Sequence, residues 1–85
     1  MTTIVWSKNQ CIYCEWAKNL LCENEIEFEE RNINVDYNKQ DMLNYLSEYH
    51  DVDSQQKITM PQIIVANHYI GGFAELKSHL KQQKP

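Results

Sequence analysis

Apolar and polar positions along the chain mark out seven short elements. Residues 2–6, TTIVW, make an apolar run with little room for alternation, which predicts a strand covered on both faces. The polar stretch SKNQ follows as a loop. From Cys11 onward Cys14, Ala17 and Leu21, with Leu20 partly beside them, recur at helical spacing and predict a helix that ends near Glu23–Glu25. Residues 26–33 alternate at Ile26 and Phe28 and then, less cleanly, at Ile33, which predicts a second strand with an exposed glutamate face. DYNKQ opens a second helix, on which Met42, Tyr45, Leu46 and Tyr49 recur at helical spacing and read as core. HDVDSQQK is a polar loop. ITMPQIIVANHYIGG holds two short strands, 62–66 and 68–70, joined by a tight turn at Ala66-Asn67, because Asn tolerates the left-handed conformation. A last helix runs from Phe73 to about Gln82 with Phe73, Leu76 and Leu80 inward, and the final residues fray.

The order β-α-β-α-β-β-α predicts an α/β fold. Its first part suits a parallel crossover and its later hairpin supplies an antiparallel pair. One four-stranded mixed sheet flanked by three helices, with helices on both faces, satisfies both. At 85 residues the chain has room for a single domain, residues 1–85, with one modest core.

Composition narrows the function. Two Trp, five Tyr and two Phe argue against disorder. A net charge of -4 disfavours a general grip on a phosphate backbone, so nucleic acid is not an expected partner. No apolar run approaches the length of a membrane span, and no signal-peptide pattern is present, so no membrane partner is expected either. Three cysteines do not make a disulfide-stapled secreted scaffold. They point to a reducing, cytoplasmic compartment.

Two of those cysteines carry the candidate chemistry. In NQCIYCEWAK, Cys11 stands where a loop becomes a helix and Cys14 one turn inside it, on the same helical face. A thiolate at a helix start meets unpaired N–H groups and the positive end of the dipole. That can lower its pKa from about 8.5 to about 3.5–7.5. Lys8, three residues before Cys11, adds positive charge, and Glu15 opposes it. The pair is therefore read as a redox dithiol, with Cys11 as nucleophile and Cys14 as resolving thiol. Half of a zinc site needs two more ligands, and Cys22, His50, His68 and His79 form no second tight pair. Two inert core cysteines are the remaining alternative. Cys22, eight residues after Cys14, reads as a half-buried, unreactive thiol.

Two further stretches lie beside this chemistry. In TMPQII, Pro61 begins an apolar strand, where its missing N–H is tolerated. Local physics leaves the Met60–Pro61 bond open between trans and cis. In YIGGFAEL, Gly71-Gly72 forms a tight turn before a helix and leaves backbone N–H groups approachable by a carboxylate.

WSKNQCIYCEWAKNLL, TMPQI and YIGGFAEL, taken in that order and spacing, make the chain resemble a dithiol glutaredoxin, most nearly the short glutaredoxins, often called thioredoxins, of large bacteriophages. The resemblance covers nearly the whole chain. It implies a thioredoxin-like fold, a cis Pro61, and a Cys11–Cys14 couple exchanging with glutathione as co-substrate. It implies that Lys8 faces the glycyl carboxylate of glutathione, that Tyr13 lines the groove, and that Met60 pairs its backbone with the cysteinyl part. Gly72 and Phe73 would offer N–H groups to the γ-glutamyl carboxylate, and Gln62 would also reach the ligand. It implies a monomer that reduces a disulfide-bearing protein such as ribonucleotide reductase. Recharging by an NADPH-dependent thioredoxin reductase is the alternative to glutathione. No metal and no tightly bound cofactor are expected, an iron–sulfur cluster included. The chain departs from the family in having Ile12 where many members have proline, and Ala74 where an acidic residue gripping the γ-glutamyl amine is expected. Glu75 comes one residue later, about 100° further round a helix, and is not expected to substitute.

Overall fold

The computed structural model describes residues 2–50 and 58–82. The elements are β1 (Ile4–Ser7), α1 (Ile12–Glu23), β2 (Glu29–Asn32), α2 (Lys39–Leu46), β3 (Gln62–Val65), β4 (His68–Gly71) and α3 (Phe73–Gln82). The four strands form one sheet in the order β2-β1-β3-β4. β1 pairs parallel with β2, from Ile4 opposite Glu29 to Ser7 opposite Asn32, and antiparallel with β3. β3 and β4 form the antiparallel hairpin. The mixed four-stranded sheet is the one the element order predicts, and the arrangement is the thioredoxin-like one that the resemblance implies. The expected polar loop after His50 and the fraying tail after Gln82 lie outside the described residues.

β1 is buried along its whole length because both of its faces are covered. Alternation sends Val5 to one side and Ile4 and Trp6 to the other. Val5 joins Ala17 and Leu21 of α1, Ile63 and Val65 of β3, and Leu76 and Leu80 of α3. Ile4 and Trp6 join Met42, Leu43 and Leu46 of α2 and Ile64 of β3. Each fully buried Val, Leu, Ile or Met among them contributes roughly 1.5–3 kcal/mol on leaving water. The first cluster is aliphatic. The second has an aromatic border in which the Arg31 guanidinium lies 5.3 Å from the Trp6 ring, 5.4 Å from Tyr37 and 5.0 Å from Tyr45.

Most boundaries move by a residue or two from the sequence expectation. The larger difference is at β2, which begins at Glu29 and not at residue 26. Ile26 and Phe28 precede the ladder and pack on the aliphatic cluster, while Ile33, one parity step away, packs on the other. The broken alternation therefore reflects apolar residues that flank the strand on either side, those before it packing on one cluster and the one after it on the other. The chain reverses before it through the end of α1: Glu25 takes a left-handed φ of 58°, and its N–H reaches the Cys22 carbonyl at 3.0 Å. The Ile26 N–H reaches the Leu21 carbonyl at 2.9 Å, so orphan carbonyls of the last turn are satisfied. The hairpin turn is where it is expected, with left-handed φ values of 51° at Ala66 and 68° at Asn67.

Candidate active site

β1 ends at the site. Its continuation, Lys8 to Gln10, is exposed, and Gln10 takes a left-handed φ of 55° that turns the chain into α1. Cys11 is the N-cap of α1, with φ -121° and ψ 102°, and its Sγ accepts a hydrogen bond from the Cys14 N–H at 3.2 Å. The two cysteines are joined as a disulfide, with Cα atoms 5.3 Å apart, inside the usual range for such a bond. They differ in access. Cys14 is completely buried, whereas Cys11 is partly exposed and opens to solvent with Gln10, Ile12 and Glu15.

A groove of about 260 Å³ lies beside the start of α1, lined by Tyr13, Thr59, Met60, Pro61, Gly72, Phe73, Ala74 and Glu75. The fold thus brings together five residues expected there: Tyr13, Met60, Pro61, Gly72 and Phe73. The Met60–Pro61 peptide bond is cis and Pro61 is buried. Lys8 is exposed on the loop before Cys11 and is not among the lining residues. Gln62 does not line the groove either. Its side chain is buried, donates to the Thr59 carbonyl at 2.6 Å and accepts from the Tyr69 hydroxyl, so its amide is engaged in holding the approach to β3.

The second end of the groove is the start of α3, where Glu75 has a role in the fold that the sequence reading did not include. The Glu75 side chain folds back and accepts the Gly72 N–H at 2.8 Å. Position N3 of a helix reaches the cap backbone by this route, which an argument from angular spacing misses. A Cβ on Gly71 would stand 3.1 Å from Glu75 Cγ, and one on Gly72 would stand 3.2 Å from Glu75 Oε1. The glycines therefore make room for the folded-back carboxylate, which lies among the groove-lining residues beside Ala74. Burial, and then the nearby Glu75 charge, push the Tyr69 hydroxyl pKa up.

A polar chain runs along the other flank. Buried Ser7 donates to Glu30 Oε2 at 2.8 Å. Lys18 Nζ lies 2.8 Å from the same oxygen and 2.6 Å from Glu15 Oε2. The Lys18 bond, opposed by burial and aided by Ser7, holds the Glu30 carboxyl below its ordinary pKa. For Lys18, burial pulls the pKa down, but the bonds to Glu15 and Glu30 outweigh it and the net shift is upward. The Glu15 charge next to Cys11 is thus matched by Lys18.

Thr59, Glu75 and the position of Trp16 escape the sequence reading. Trp16 packs on Tyr13 and Phe73, with ring centroids 5.2 and 5.8 Å away. A run of aromatics on one side of a dithiol helix was the available signal. Cys22 is exposed, not half-buried, because residue 22 turns away from the Leu21 side of α1. Among the described residues no group of three or more His, Cys, Asp or Glu is placed to hold a metal ion, and no helix is long and apolar enough to cross a membrane.

Known proteins share this arrangement. The glutaredoxin family model matches residues 3–70. Bovine (Bos taurus) mitochondrial glutaredoxin-2 is 32% identical over 83 residues, 95% of this chain. The chain spans 48% of the length of that relative. The crystal structure of glutaredoxin 1 from Francisella tularensis, complexed with cacodylate, superposes with a TM-score of 0.73 at 31% identity, covering 95% of this chain and 93% of the other. A buckwheat glutaredoxin–glutathione complex shares the fold, with a TM-score of 0.70 at 19% identity, covering 95% and 70%. The family match over most of the chain, with a cysteine of the Cys11–Cys14 pair capping its first helix, makes this protein a member of the glutaredoxin family.

Proposed function

We propose that this chain is a glutathione-linked thiol–disulfide oxidoreductase in which Cys11 is the nucleophile and Cys14 the resolving thiol. The observation that carries the reading is the difference in access within one disulfide: Cys11 partly exposed at the helix start, Cys14 buried beneath it. In the reduced protein the first N–H groups of α1 favour a Cys11 thiolate. That thiolate attacks one sulfur of a substrate disulfide, the other sulfur leaves as thiolate and takes up a proton, and Cys14 then displaces the bound half to form Cys11–Cys14. Two glutathione molecules restore the dithiol and leave as glutathione disulfide.

Glutathione fits the groove beside this pair. Tyr13, Met60 and Pro61 form its wall, and the start of α3 at Phe73 suits a γ-glutamyl carboxylate, which at Gly72 would have to displace the Glu75 carboxylate from the N–H. Glu75 supplies a negative charge for the γ-glutamyl amine. Lys8 remains on the exposed loop as a candidate partner for the glycyl carboxylate, and Gln62 acts by supporting Thr59 and not by touching the ligand. The client class is a protein disulfide, with ribonucleotide reductase as the expected example by family likeness. The setting is a reducing cytoplasm, and the subtype is the short bacteriophage glutaredoxin. A second reading, recharging by a thioredoxin reductase, is favoured by one observation: the Gly72 N–H is already engaged by Glu75 and is not free for a ligand carboxylate.

The test is turnover of a glutathione mixed disulfide with glutathione as sole reductant, with Cys14→Ser alongside. Turnover by both is expected, since Cys11 alone can exchange with the mixed disulfide. If neither turns over, glutathione linkage is wrong, and NADPH-dependent thioredoxin reductase is the next reductant to supply.

A further inference from the structure

Three aromatic rings meet on the surface beside the dithiol. Tyr13 and Trp16 pack edge to face at 5.2 Å, and Phe73 closes the set at 6.2 and 5.8 Å. They do not form a core: Tyr13 is 53% exposed and Trp16 46%, and neighbouring Ile12 is 57% exposed. Of the four large exposed hydrophobics among the described residues, these three fall within five consecutive positions around the cysteines, and the fourth, Val35, is remote in sequence. Exposed apolar groups gathered in this way mark a surface that is covered when the protein works.

The cluster is also a boundary. Phe73 lines the groove already described and, on its other side, a second hollow of about 270 Å³ formed with Trp16, Asn19, Leu20 and Glu23. The two depressions therefore lie on either side of Phe73, which is a wall of both. Glu23 lies nine residues beyond Cys14 on α1, about 13 Å along the axis at 1.5 Å per residue. A tripeptide spans only about 10 Å fully extended. A glutathione molecule seated in the first groove does not also fill the second, whereas a longer chain crossing the reacting sulfur does. Within the second hollow the walls are apolar except for Asn19 and the Glu23 carboxylate, which suits an apolar side chain followed by a basic one.

We propose that the Trp16–Phe73 ridge and the hollow beyond it form a subsite for the polypeptide client. An extended segment of a disulfide-bearing chain presents its cysteine sulfur to Cys11, lays an apolar side chain across Trp16 and Phe73, and sets a basic side chain against Glu23. The proposal rests on the oxidoreductase reading above. Its electron balance is the same: the Cys11–Cys14 dithiol is oxidised to the disulfide, and the client disulfide is reduced to two thiols. What the ridge adds is discrimination between a protein disulfide and a small one.

The experiment compares three disulfides as substrates of the reduced protein. Two are synthetic peptides with an internal disulfide, one flanked by Leu-Lys and the other by Ser-Asp. The third is the mixed disulfide of glutathione and cysteine. The wild-type protein is expected to favour the Leu-Lys peptide by about tenfold in kcat/KM, the scale of a surface Trp anchor. Trp16→Ala should erase that preference. Glu23→Lys, at an exposed position that leaves the rings intact, should cut it about threefold through lost charge pairing. Glu23→Lys should handle the small mixed disulfide within about twofold of wild type, since Glu23 neither lines the first groove nor touches the rings that do; Trp16→Ala should lose clearly less on that substrate than on the Leu-Lys peptide. Equal losses on all three substrates with Trp16→Ala, or no peptide preference in the wild type, would overturn the proposal alone. So would a wild-type dimer in sedimentation that Trp16→Ala dissolves, because the ridge would then be covered by a second copy. If the wild type reduces none of the three, the oxidoreductase reading falls and this one with it.

Discussion

Helices α1 and α2 start in opposite ways. α2 begins with a reciprocal capping box: Asn38 accepts the Asp41 N–H at 2.8 Å, and Asp41 accepts the Asn38 N–H at 3.0 Å. Two orphan donors are closed by good oxygen acceptors, and the Asp41 charge suits the dipole. α1 has a sulfur in the same role, accepting a single N–H at 3.2 Å. Sulfur is the weaker acceptor, and Cys is not among the preferred caps. The helix that carries the chemistry accepts a poorer start so that a nucleophile can stand there, while the helix on the far face of the sheet is closed for stability. α3 lies between: Glu75 returns to the Gly72 N–H, the half of a capping box that a glycine cap leaves possible.

The largest expected effect separates capping from chemistry. Cys11→Ser should abolish disulfide reduction, yet serine is a preferred N-cap. The reduced variant should therefore be as stable in urea as the reduced wild type, or more so by up to about 1 kcal/mol. A marked loss of stability would show that Cys11 serves structure first. The converse change is Asn38→Ala, which should cost about 1 kcal/mol in urea unfolding and leave turnover of a mixed disulfide unaltered. A fall in kcat would mean that the two faces of the sheet are coupled. Glu75→Gln tests the intermediate case. KM for a glutathione mixed disulfide should rise about threefold with kcat unchanged, as expected for loss of one exposed charge pairing. An unchanged KM would make Glu75 a cap and nothing more.

The smallest effect concerns the flank. The Glu30 pKa is lowered in the fold by Lys18 and Ser7, so its contribution is present above the unfolded carboxyl pKa and is lost as pH falls through the depressed folded value. The Lys18 pKa is raised, so its contribution is intact through neutral pH and is lost only in strong alkali. Glu30 is 38% exposed, so solvent screening keeps the pair below about 1 kcal/mol. Glu30→Gln should flatten the acid limb of a urea-midpoint profile by that small amount, and an identical limb would assign the acid sensitivity elsewhere.

These contrasts also show what the chain discloses before it is folded. Local order was legible: the burial of β1, the turn at Ala66-Asn67, the inward Leu76 and Leu80 of α3, and the helix start at Cys11 all follow from residue type and period. Most of the groove was legible as well, because Cys11–Cys14, Pro61 and Gly71-Gly72 are local signals whose joint meaning comes from their order. What escaped depends on where side chains end. The reach of Glu75 back to Gly72, the engagement of Gln62 by Thr59 and Tyr69, and the outward turn of Cys22 are set by rotamers and by the packing of α1 against α3, and none of these has a periodic signature. Ile26, Phe28 and Ile33 look like an imperfect strand because a sequence does not say that apolar residues on the two sides of a short strand pack on two different cores.

The hairpin offers a last consequence, for engineering. Ala66 holds a left-handed φ of 51°, a conformation that costs a residue with a Cβ about 1 kcal/mol relative to glycine. It sits between β3 and β4, and neither it nor Asn67 lines the groove or the ridge. Glycine at position 66 would relieve that strain at the loss of the methyl that Ala66 packs on the aliphatic cluster, so any margin gained is the difference of the two, and it leaves the redox face untouched.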